Sequence, residues 1–522
     1  MFKPNLSVIK SRKIQFRLIV GLILVGVVVT HLINLTQLPV FADESIYIRW
    51  SQLIIDDWRQ YLFFPLNDGK TPIFIWALVP FQLIFQDQLF AGRFLSVIVG
   101  LFQVIIIGLI SKNLSLNKRT QLISMMLSAI LPYWYFHHHL ALMDGMLALF
   151  ASVACLFSIK LASNINSKHS SKKTFLYCFL TGLFIGFSLL TKLPALLLIP
   201  SVIITGLLIK QNKLNNWTKL LIYLCISTII GAIVFILLKI HPAFSQLFSR
   251  GGDFLFSWQE ILFESRWKET LPSIPNYLNY FIHYLTWPVI FLSILGVFLK
   301  QKRAVILLHL SWLSFAFPIF IMGRVVFARY LFPVSIFITL AASISIGELL
   351  KMKPVIKYVI YLLLMLTIIK SVQFISPTLL ASENIPFVPS DQKQYLTEWS
   401  AGFGVKDTVE LIRDLAKTQT VYVFSEGYFG TLPDGLLMYL HQQPVNNIFI
   451  QPIGQPIRNL PTPSNIDKLN PFDLYLLVGN SHRLQLNLDG AKLIYESCRP
   501  FDAPCHQVWD ITNLIDSLRN QS

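Results

Sequence analysis

The chain has 522 residues, of which 54% are hydrophobic and only 13% charged, and its formal net charge is +16. This composition excludes an ordinary water-soluble globule, and apolar runs of about 20 residues are typical of helices that span a lipid bilayer. The runs lack the alternation of outer-membrane barrel strands. We therefore predict a polytopic α-helical membrane protein.

Eleven apolar stretches are predicted to span the membrane. They lie at 17–36, 88–111, 120–137, 140–160, 174–191, 193–209, 220–240, 278–299, 304–323, 329–348 and 355–373. The basic residues fall mainly in short loops between these stretches, at 10–13, 112–119, 167–173, 210–213, 300–303 and 351–357. Because cytoplasmic loops carry an excess of lysine and arginine, we place these loops and the N-terminus in the cytoplasm and predict a multi-pass protein of the plasma (inner) membrane. Charge distributed in this way argues against a nucleic-acid partner.

The first external loop, 36–87, begins with the pattern of an amphipathic helix. Apolar residues recur on one helical face, at Ile46, Trp50, Leu53, Ile54, Trp58, Tyr61 and Leu62. The opposite face is polar and includes Gln52, so we expect the helix to lie flat on the outer membrane surface. Asp43 and Glu44 stand at its N-terminus. They could simply cap the helix, which is the commoner role of acids at this position, or they could take part in chemistry.

Further ionisable residues recur near the predicted external ends of the spans. They are Lys70, Arg93, the histidines 137–139, Asp144, Lys192 and Arg329, with Tyr330 beside the last. Charges at membrane depth are costly and tend to be functional. Lys70 and Arg93 could instead be anchors that reach the interface, and Lys192 could cap the end of its helix. The histidine run could bind a metal, but we expect it to be solvated and predict no metal site.

The segment after residue 375 differs from the rest in composition. Alternating patterns predict strands at 421–426, 445–452, 472–479, 492–497 and 506–511, with helices at 406–417 and 433–442. We therefore divide the chain into a transmembrane domain, 1–375, and a small extracytoplasmic α/β domain, 376–522. Cys498 and Cys505 in this domain are either two free thiols or a disulfide, and an oxidising compartment favours the disulfide.

The order of the motifs resembles glycosyltransferase family 39, which includes the protein O-mannosyltransferases and the bacterial aminoarabinose transferases. The matching segments are ADESIY (42–47), GKTP (69–72), RFLSVIVG (93–100), MDGML (143–147), LLTK (189–192) and ARYLFP (328–333). The resemblance implies the membrane-integral C-type glycosyltransferase fold. Gly69 stands where some members have an acid, and Thr71 replaces a proline, so a metal site that depends on that acid is not carried over. A divalent cation remains an option.

The resemblance also implies a reaction. A sugar would move from a polyprenyl-phosphate carrier to a hydroxyl on an extracytoplasmic protein, lipid or glycan, with inversion at the sugar carbon. The implied catalytic residues are Asp43, as the base, and Glu44; the implied donor-phosphate ligands are Lys70, Arg93, Lys192, Arg329 and Tyr330; the implied supporting residues are Tyr47, His139 and Asp144.

Other functions remain open at the level of sequence. A multi-spanning lipid or polysaccharide transporter or flippase is the main alternative, although such proteins more often show an internal repeat. A non-catalytic scaffold would not need Asp43, Lys70, Asp144 and Arg329 together. A polymerase or ligase for surface polysaccharide, with a glycan as acceptor, is closest to the transferase interpretation and the hardest alternative to exclude.

Overall fold

The computed structural model describes residues 6–167, 170–441, 445–460 and 473–519. Residues 168 and 169 of the predicted basic loop 167–173 lie outside this part. The contacts divide the chain into two units, each built from three segments. The first unit comprises Met1–Leu35, Leu62–Phe74 and Phe94–Leu379, and the second comprises Thr36–Tyr61, Ile75–Arg93 and Leu380–Ser522.

The first unit consists of helices. Its α-helices are Leu6–Leu32, Gln88–Asn113 (which begins in the second unit), Lys118–Ile130, Pro132–His137, Met143–Asn166, Ser171–Thr191, Ile199–Gly206, Leu214–Ile236, Gly251–Phe254, Trp258–Leu262, Trp267–Thr270, Ile274–Tyr284, Trp287–Leu295, Lys302–Met322, Ala328–Leu331, Ser335–Leu349 and Pro354–Leu380. Single 3₁₀ segments, among them Phe64–Asp68, Leu193–Leu198 and Pro242–Phe248, link several of them.

Eight helices among the described residues are long and apolar enough to cross a membrane, or nine if one bent pair counts as a span. These eight coincide with eight of the eleven predicted stretches. The other three, 120–137, 193–209 and 278–299, are broken into shorter helices, and the last of them contains a bend of 101°. Proline explains the breaks, because Pro132, Pro194 and Pro288 each lie at the first or second position of a new helical segment. The chain is a membrane protein.

The second unit contains a mixed five-stranded sheet within its described residues. The strands are β1 (Val421–Glu426), β2 (Ile448–Gly454), β3 (Leu474–Asn480), β4 (Lys492–Arg499) and β5 (Ala503–Asp510), in the order β2-β1-β3-β5-β4. β1 runs parallel to β2 and β3, whereas β5 is antiparallel to β3 and β4. The small α/β fold predicted for this part of the chain is confirmed, and a disulfide joins Cys498 to Cys505.

Helices of the second unit come from both ends of the chain. They are Ala42–Asp56, Trp58–Tyr61, Ile73–Ile84 (which begins in the first unit), Pro389–Gln392, Val405–Leu415, Asp434–Leu440 and Thr512–Arg519. A buried cluster that includes Val409, Ile412, Val423 and Leu436 packs two of these helices against the sheet.

The first-loop helix Ala42–Asp56 is joined to the C-terminal segment by hydrogen bonds. The backbone N–H of Ala42 donates to the carbonyl of Ser400 at 3.0 Å, and the Gln52 amide donates to the carbonyl of Met438 at 2.9 Å. The prediction of a solvated polar face is therefore wrong at Gln52, which is fully buried. The helix Asp434–Leu440 packs against that face. The two helices lie almost 400 residues apart in the chain, so the spacing of apolar and polar residues within either helix cannot predict their contact.

The C-terminal segment should be sensitive to acid because of His506. Burial lowers the pKa of this histidine to about 3, and its Nε2 lies 2.7 Å from Oγ1 of Thr408. The unfolded chain binds the proton near pH 6.5, so stability is present above that pH and is lost as the pH falls toward 3. Between pH 7 and pH 5 we expect a loss of about 2 kcal/mol, measured as protease resistance of the full chain, and a weaker pH dependence in His506→Gln. Equal acid sensitivity of the two proteins would contradict this assignment.

Candidate active site

Glu44 lies at the start of the helix Ala42–Asp56 and is fully buried. Its Oε2 accepts a hydrogen bond from the backbone N–H of Phe41 at 3.0 Å. An acid in the first helical turn that reaches back to the preceding residue satisfies a backbone donor that has no partner within the helix. The capping role considered from the sequence therefore applies to Glu44.

Arg93 holds the Glu44 carboxylate with both arms of its guanidinium. Nε donates to Oε1 at 2.8 Å and Nη2 donates to Oε2 at 2.7 Å. The guanidinium also donates to the carbonyls of Leu38 and Pro39, at 2.8 and 3.1 Å. Such two-pronged pairs are strong and fix geometry. Because Arg93 is 1% exposed and directed at these groups, its placement fits a role in positioning the Leu38–Glu44 segment.

Asp43 differs from its neighbour because its side chain is half-buried rather than fully covered. Of the two adjacent acids, it is the one that a substrate can reach. Tyr47, predicted as a supporting residue, follows Asp43 by one helical turn and is itself buried, with its ring 6.1 Å from that of Trp50.

Asp144 and Lys192, two of the predicted residues, form an ion pair in the first unit. Asp144 lies in the first turn of the helix Met143–Asn166, and Lys192 follows the last residue of Ser171–Thr191. The lysine Nζ lies 2.7 Å from Oδ1 of Asp144, which is almost fully buried. Each charge suits its helix end, since the N-terminus of a helix favours an acid and the C-terminus a base. The pairing satisfies a buried acid that would otherwise be costly.

The rings of Tyr330 and Phe254 connect further predicted residues. Lys192 Nζ and Arg329 Cζ lie 4.8 and 5.5 Å from the centre of the Tyr330 ring. Tyr330 in turn meets Phe254, with ring centres 6.5 Å apart, and Lys70 Nζ lies 5.6 Å from the Phe254 ring. The structure thus brings Lys70, Lys192, Arg329 and Tyr330 together. We call these four residues, with Phe254 and Asp144, the cationic cluster.

The cationic cluster carries more positive than negative charge. Its members supply three cations, and Asp144 is the one carboxylate among them. The nearby Arg250 adds no net positive charge, because it pairs with Asp68 at 2.6 Å and with Asp253 at 3.1 Å. Lys70 makes no ion pair among the residues that the structure describes. An aromatic-lined group of cations beside the ends of apolar helices is suited to binding an anion.

The histidine run is buried, so the expectation of a solvated cluster is wrong. His139 stacks on His31 with ring centres 4.8 Å apart, and its Nδ1 lies 3.0 Å from the carbonyl of Tyr135. His137 packs against Phe332 and interacts electrostatically with Arg329 and Lys192. His139 was the predicted supporting residue, whereas His137 is the histidine beside the cationic cluster. Three consecutive histidines offer no sequence signal that separates them.

Part of the chain is similar to a known family, and most of it is similar in fold to solved structures. Residues 65–248 match the family model described as dolichyl-phosphate-mannose-protein mannosyltransferase, whereas no curated protein sequence matches the chain. The crystal structure of ArnT from Cupriavidus metallidurans in the apo state has a TM-score of 0.56 and 13% identity, covering 97% of this chain and 99% of that one. ArnT bound to undecaprenyl phosphate gives 0.56 and 14%, with coverage of 94% and 97%. The Archaeoglobus fulgidus oligosaccharyltransferase in complex with Zn and sulfate gives 0.50 and 12%, with coverage of 88% and 68%.

The chain is a membrane glycosyltransferase with the C-type fold. At these identities the structural comparisons establish the fold, and the family match over residues 65–248 confirms the resemblance predicted from the ordered motifs. No comparison supports the alternative of a transporter.

One group of potential metal ligands occurs among the described residues of this glycosyltransferase. It consists of Glu496, Cys498 and Cys505. The disulfide engages both cysteine sulfurs, so this group lacks the thiolates that zinc would require.

Proposed function

We propose that this glycosyltransferase moves a sugar from a polyprenyl-phosphate carrier to a hydroxyl acceptor outside the membrane. The name of the matching family refers to a dolichyl-phosphate donor, and one ArnT structure of the same fold is described with undecaprenyl phosphate. The observation that carries the proposal is the cationic cluster. We place the protein in the inner membrane with its N-terminus in the cytoplasm and its C-terminal segment outside.

The charge of the cationic cluster suits the change that occurs during transfer. The donor is a phosphodiester with one negative charge, and the departing polyprenyl phosphate gains a second as the bond between the sugar carbon and the phosphate oxygen breaks. Groups fixed where charge develops lower the barrier, because they require no reorganisation during reaction. In our proposal Lys70, Lys192 and Arg329 meet that charge, Tyr330 donates a hydrogen bond, and His137 replaces His139 as the supporting histidine.

Asp43 is assigned as the general base. The acceptor oxygen attacks the sugar carbon while its proton passes to the Asp43 carboxylate, and the electron pair of the broken bond leaves with the phosphate. Attack from the face opposite the leaving group inverts the configuration. Glu44 and Arg93 position Asp43, since they anchor the chain on both sides of it.

Lys70→Met tests the role of the cationic cluster. We expect the rate of donor consumption to fall about 10²–10³-fold, the usual loss when one fixed charge-stabilising group is removed. The substitution leaves no partner charge behind, because Lys70 makes no ion pair in the described part of the chain. The measurement is mass-spectrometric detection of polyprenyl phosphate released from a polyprenyl-phosphate hexose or pentose by the purified protein in nanodiscs, with water or an added methyl glycoside supplying the hydroxyl that takes the sugar.

Lys353→Met is the matched control, since Lys353 is exposed and lies in a loop predicted to be cytoplasmic. A second variant, Asp144→Asn combined with Lys192→Met, removes an ion pair together and so avoids an isolated buried acid. Wild-type rates in both cluster variants would exclude the cluster as the phosphate site. Absence of donor consumption by the wild type across both sugar classes would count against the transferase proposal itself.

A further inference from the structure

A cavity in the second unit takes no part in the mechanism above. Its volume is about 240 Å³, and one wall is the chain segment 36–40. The lining side chains that carry a charge, a hydroxyl or an aromatic ring include Asp87, Phe403, Lys406, Asp407, Tyr439 and Ser497. Lysine, carboxylate, hydroxyl and aromatic groups thus share one partly open space. A volume below the roughly 300–1,000 Å³ of drug-sized sites suits a single small ring.

Two glycines let the chain form this cavity. Gly404 has a φ of +76°, and a Cβ at this position would lie 2.7 Å from Cβ of Ser497. A Cβ at Gly402 would lie 2.6 Å from the carbonyl oxygen of Val40. Only glycine fits both close approaches, and the turn brings Phe403 to the cavity wall. The helix Val405–Leu415 starts directly afterwards and contributes Lys406 and Asp407.

Ion-pair and hydrogen-bond contacts orient the charged groups of the cavity. Lys406 Nζ lies 3.0 Å from Oδ2 of Asp87, and the Tyr495 hydroxyl donates to Oδ2 of Asp407 at 2.8 Å. Burial, together with the negative charge of Asp87, raises the pKa of Tyr439, so its hydroxyl stays protonated and can donate. Each carboxylate has two oxygens and further acceptor capacity. Two carboxylates and one lysine leave the lining with a net negative charge.

We propose that this cavity binds an uncharged sugar ring of a glycan acceptor. Carboxylates accept hydrogen bonds from ring hydroxyls, Tyr439 and Ser497 can donate to ring oxygens, and the Phe403 ring covers an apolar face. The negative lining disfavours sugar acids. This inference rests on the proposed function. It names a glycan as the acceptor, where the resemblance left a protein, a lipid or a glycan open.

Saturation-transfer difference NMR tests the cavity without requiring activity. The full-length protein is placed in nanodiscs, because maltoside detergents are themselves sugars. The probes are the methyl glycosides of glucose, mannose, galactose and N-acetylglucosamine, with methyl glucuronide as the anionic comparison. We expect ring-proton signals from at least one neutral glycoside and several-fold weaker signals from the glucuronide.

Variants of the cavity show where a probe binds. Asp407→Asn and Tyr439→Phe should each reduce the signal at least fivefold while they retain the shape of the side chain. Asp414→Asn is the matched control, since Asp414 lies on the same helix, is exposed and pairs with Lys417. No signal from any neutral glycoside, equal signals in the cavity variants, or glucuronide binding as strong as that of the neutral glycosides would overturn the inference.

The two proposals fail in different ways. If the wild type consumes donor but no glycoside contacts the cavity, the inference is wrong and the transferase proposal stands. If glycosides bind in the cavity but no donor is consumed, the sugar site stands and the transferase proposal fails.

Discussion

Replacing Asp43 with asparagine is expected to slow sugar transfer by about 10²–10⁴-fold, the usual contribution of a positioned general base. Asparagine matches the shape of aspartate but cannot accept the acceptor proton. Donor binding should remain, because the cationic cluster is unchanged. Mass spectrometry of lipids that copurify with each protein should show a polyprenyl-phosphate sugar enriched on the variant, and that lipid would identify the donor.

Asp57→Asn is the control for this experiment. Asp57 follows the same helix, is exposed, and its Oδ1 accepts a hydrogen bond from the backbone N–H of Arg59 at 2.9 Å. We expect wild-type turnover in this variant. Turnover in Asp43→Asn within twofold of the wild type would exclude Asp43 as the base, even if a polyprenyl-phosphate sugar copurifies with both proteins.

Arg93→Met is expected to destabilise the protein by about 3–5 kcal/mol, because it leaves the Glu44 carboxylate buried without its counter-charge. Glu44 is 0% and Arg93 1% exposed at the side chain, so water cannot replace the lost partner. Glu44→Gln combined with Arg93→Met should recover much of the loss, since no isolated charge then remains. Thermal unfolding and limited proteolysis of the full chain in nanodiscs measure the effect.

Arg59→Met provides the matched control, since Arg59 is exposed and should change stability by less than about 0.5 kcal/mol. Mass spectrometry of the lipids that copurify with Arg93→Met, combined with these stability measurements, separates a positioning role for Arg93 from a contact with the donor phosphate. A variant that keeps wild-type stability but loses donor binding would show that Arg93 contacts the donor phosphate, as predicted from the family resemblance.

Local patterns in the sequence explain why much of the fold could be predicted. Eight spans and five strands follow from the periodicity of neighbouring residues, which the chain keeps wherever it folds. The three broken spans contain Pro132, Pro194 and Pro288. Their apolar composition predicts continuous spans, although a proline ring interrupts a helix. Burial of Gln52 could not be predicted, since its partner is the carbonyl of Met438.

The candidate site, like the fold, could be predicted only in part from the sequence. Charge and predicted membrane depth were sufficient to select Lys70, Lys192 and Arg329, but they did not single out Lys192 as the partner of Asp144. The contact between Arg93 and Glu44 was not anticipated, since an arginine near the end of a span has the same sequence signature whether it binds a ligand or another side chain. Phe254 was not predicted as a link between Lys70 and Tyr330, because an aromatic residue in a loop carries no signal for its contacts.

Because the second unit is built from three separate segments of the chain, it limits how the protein can be truncated or combined with a relative. Thr36–Tyr61, Ile75–Arg93 and Leu380–Ser522 share one set of internal contacts, although more than 280 residues separate the second segment from the third. Deleting the C-terminal segment would remove the hydrogen bonds that hold Ala42 and Gln52. A chimeric enzyme that takes its C-terminal segment from a relative should therefore also take the segments that correspond to Thr36–Tyr61 and Ile75–Arg93 from that relative. The three segments should be exchanged together.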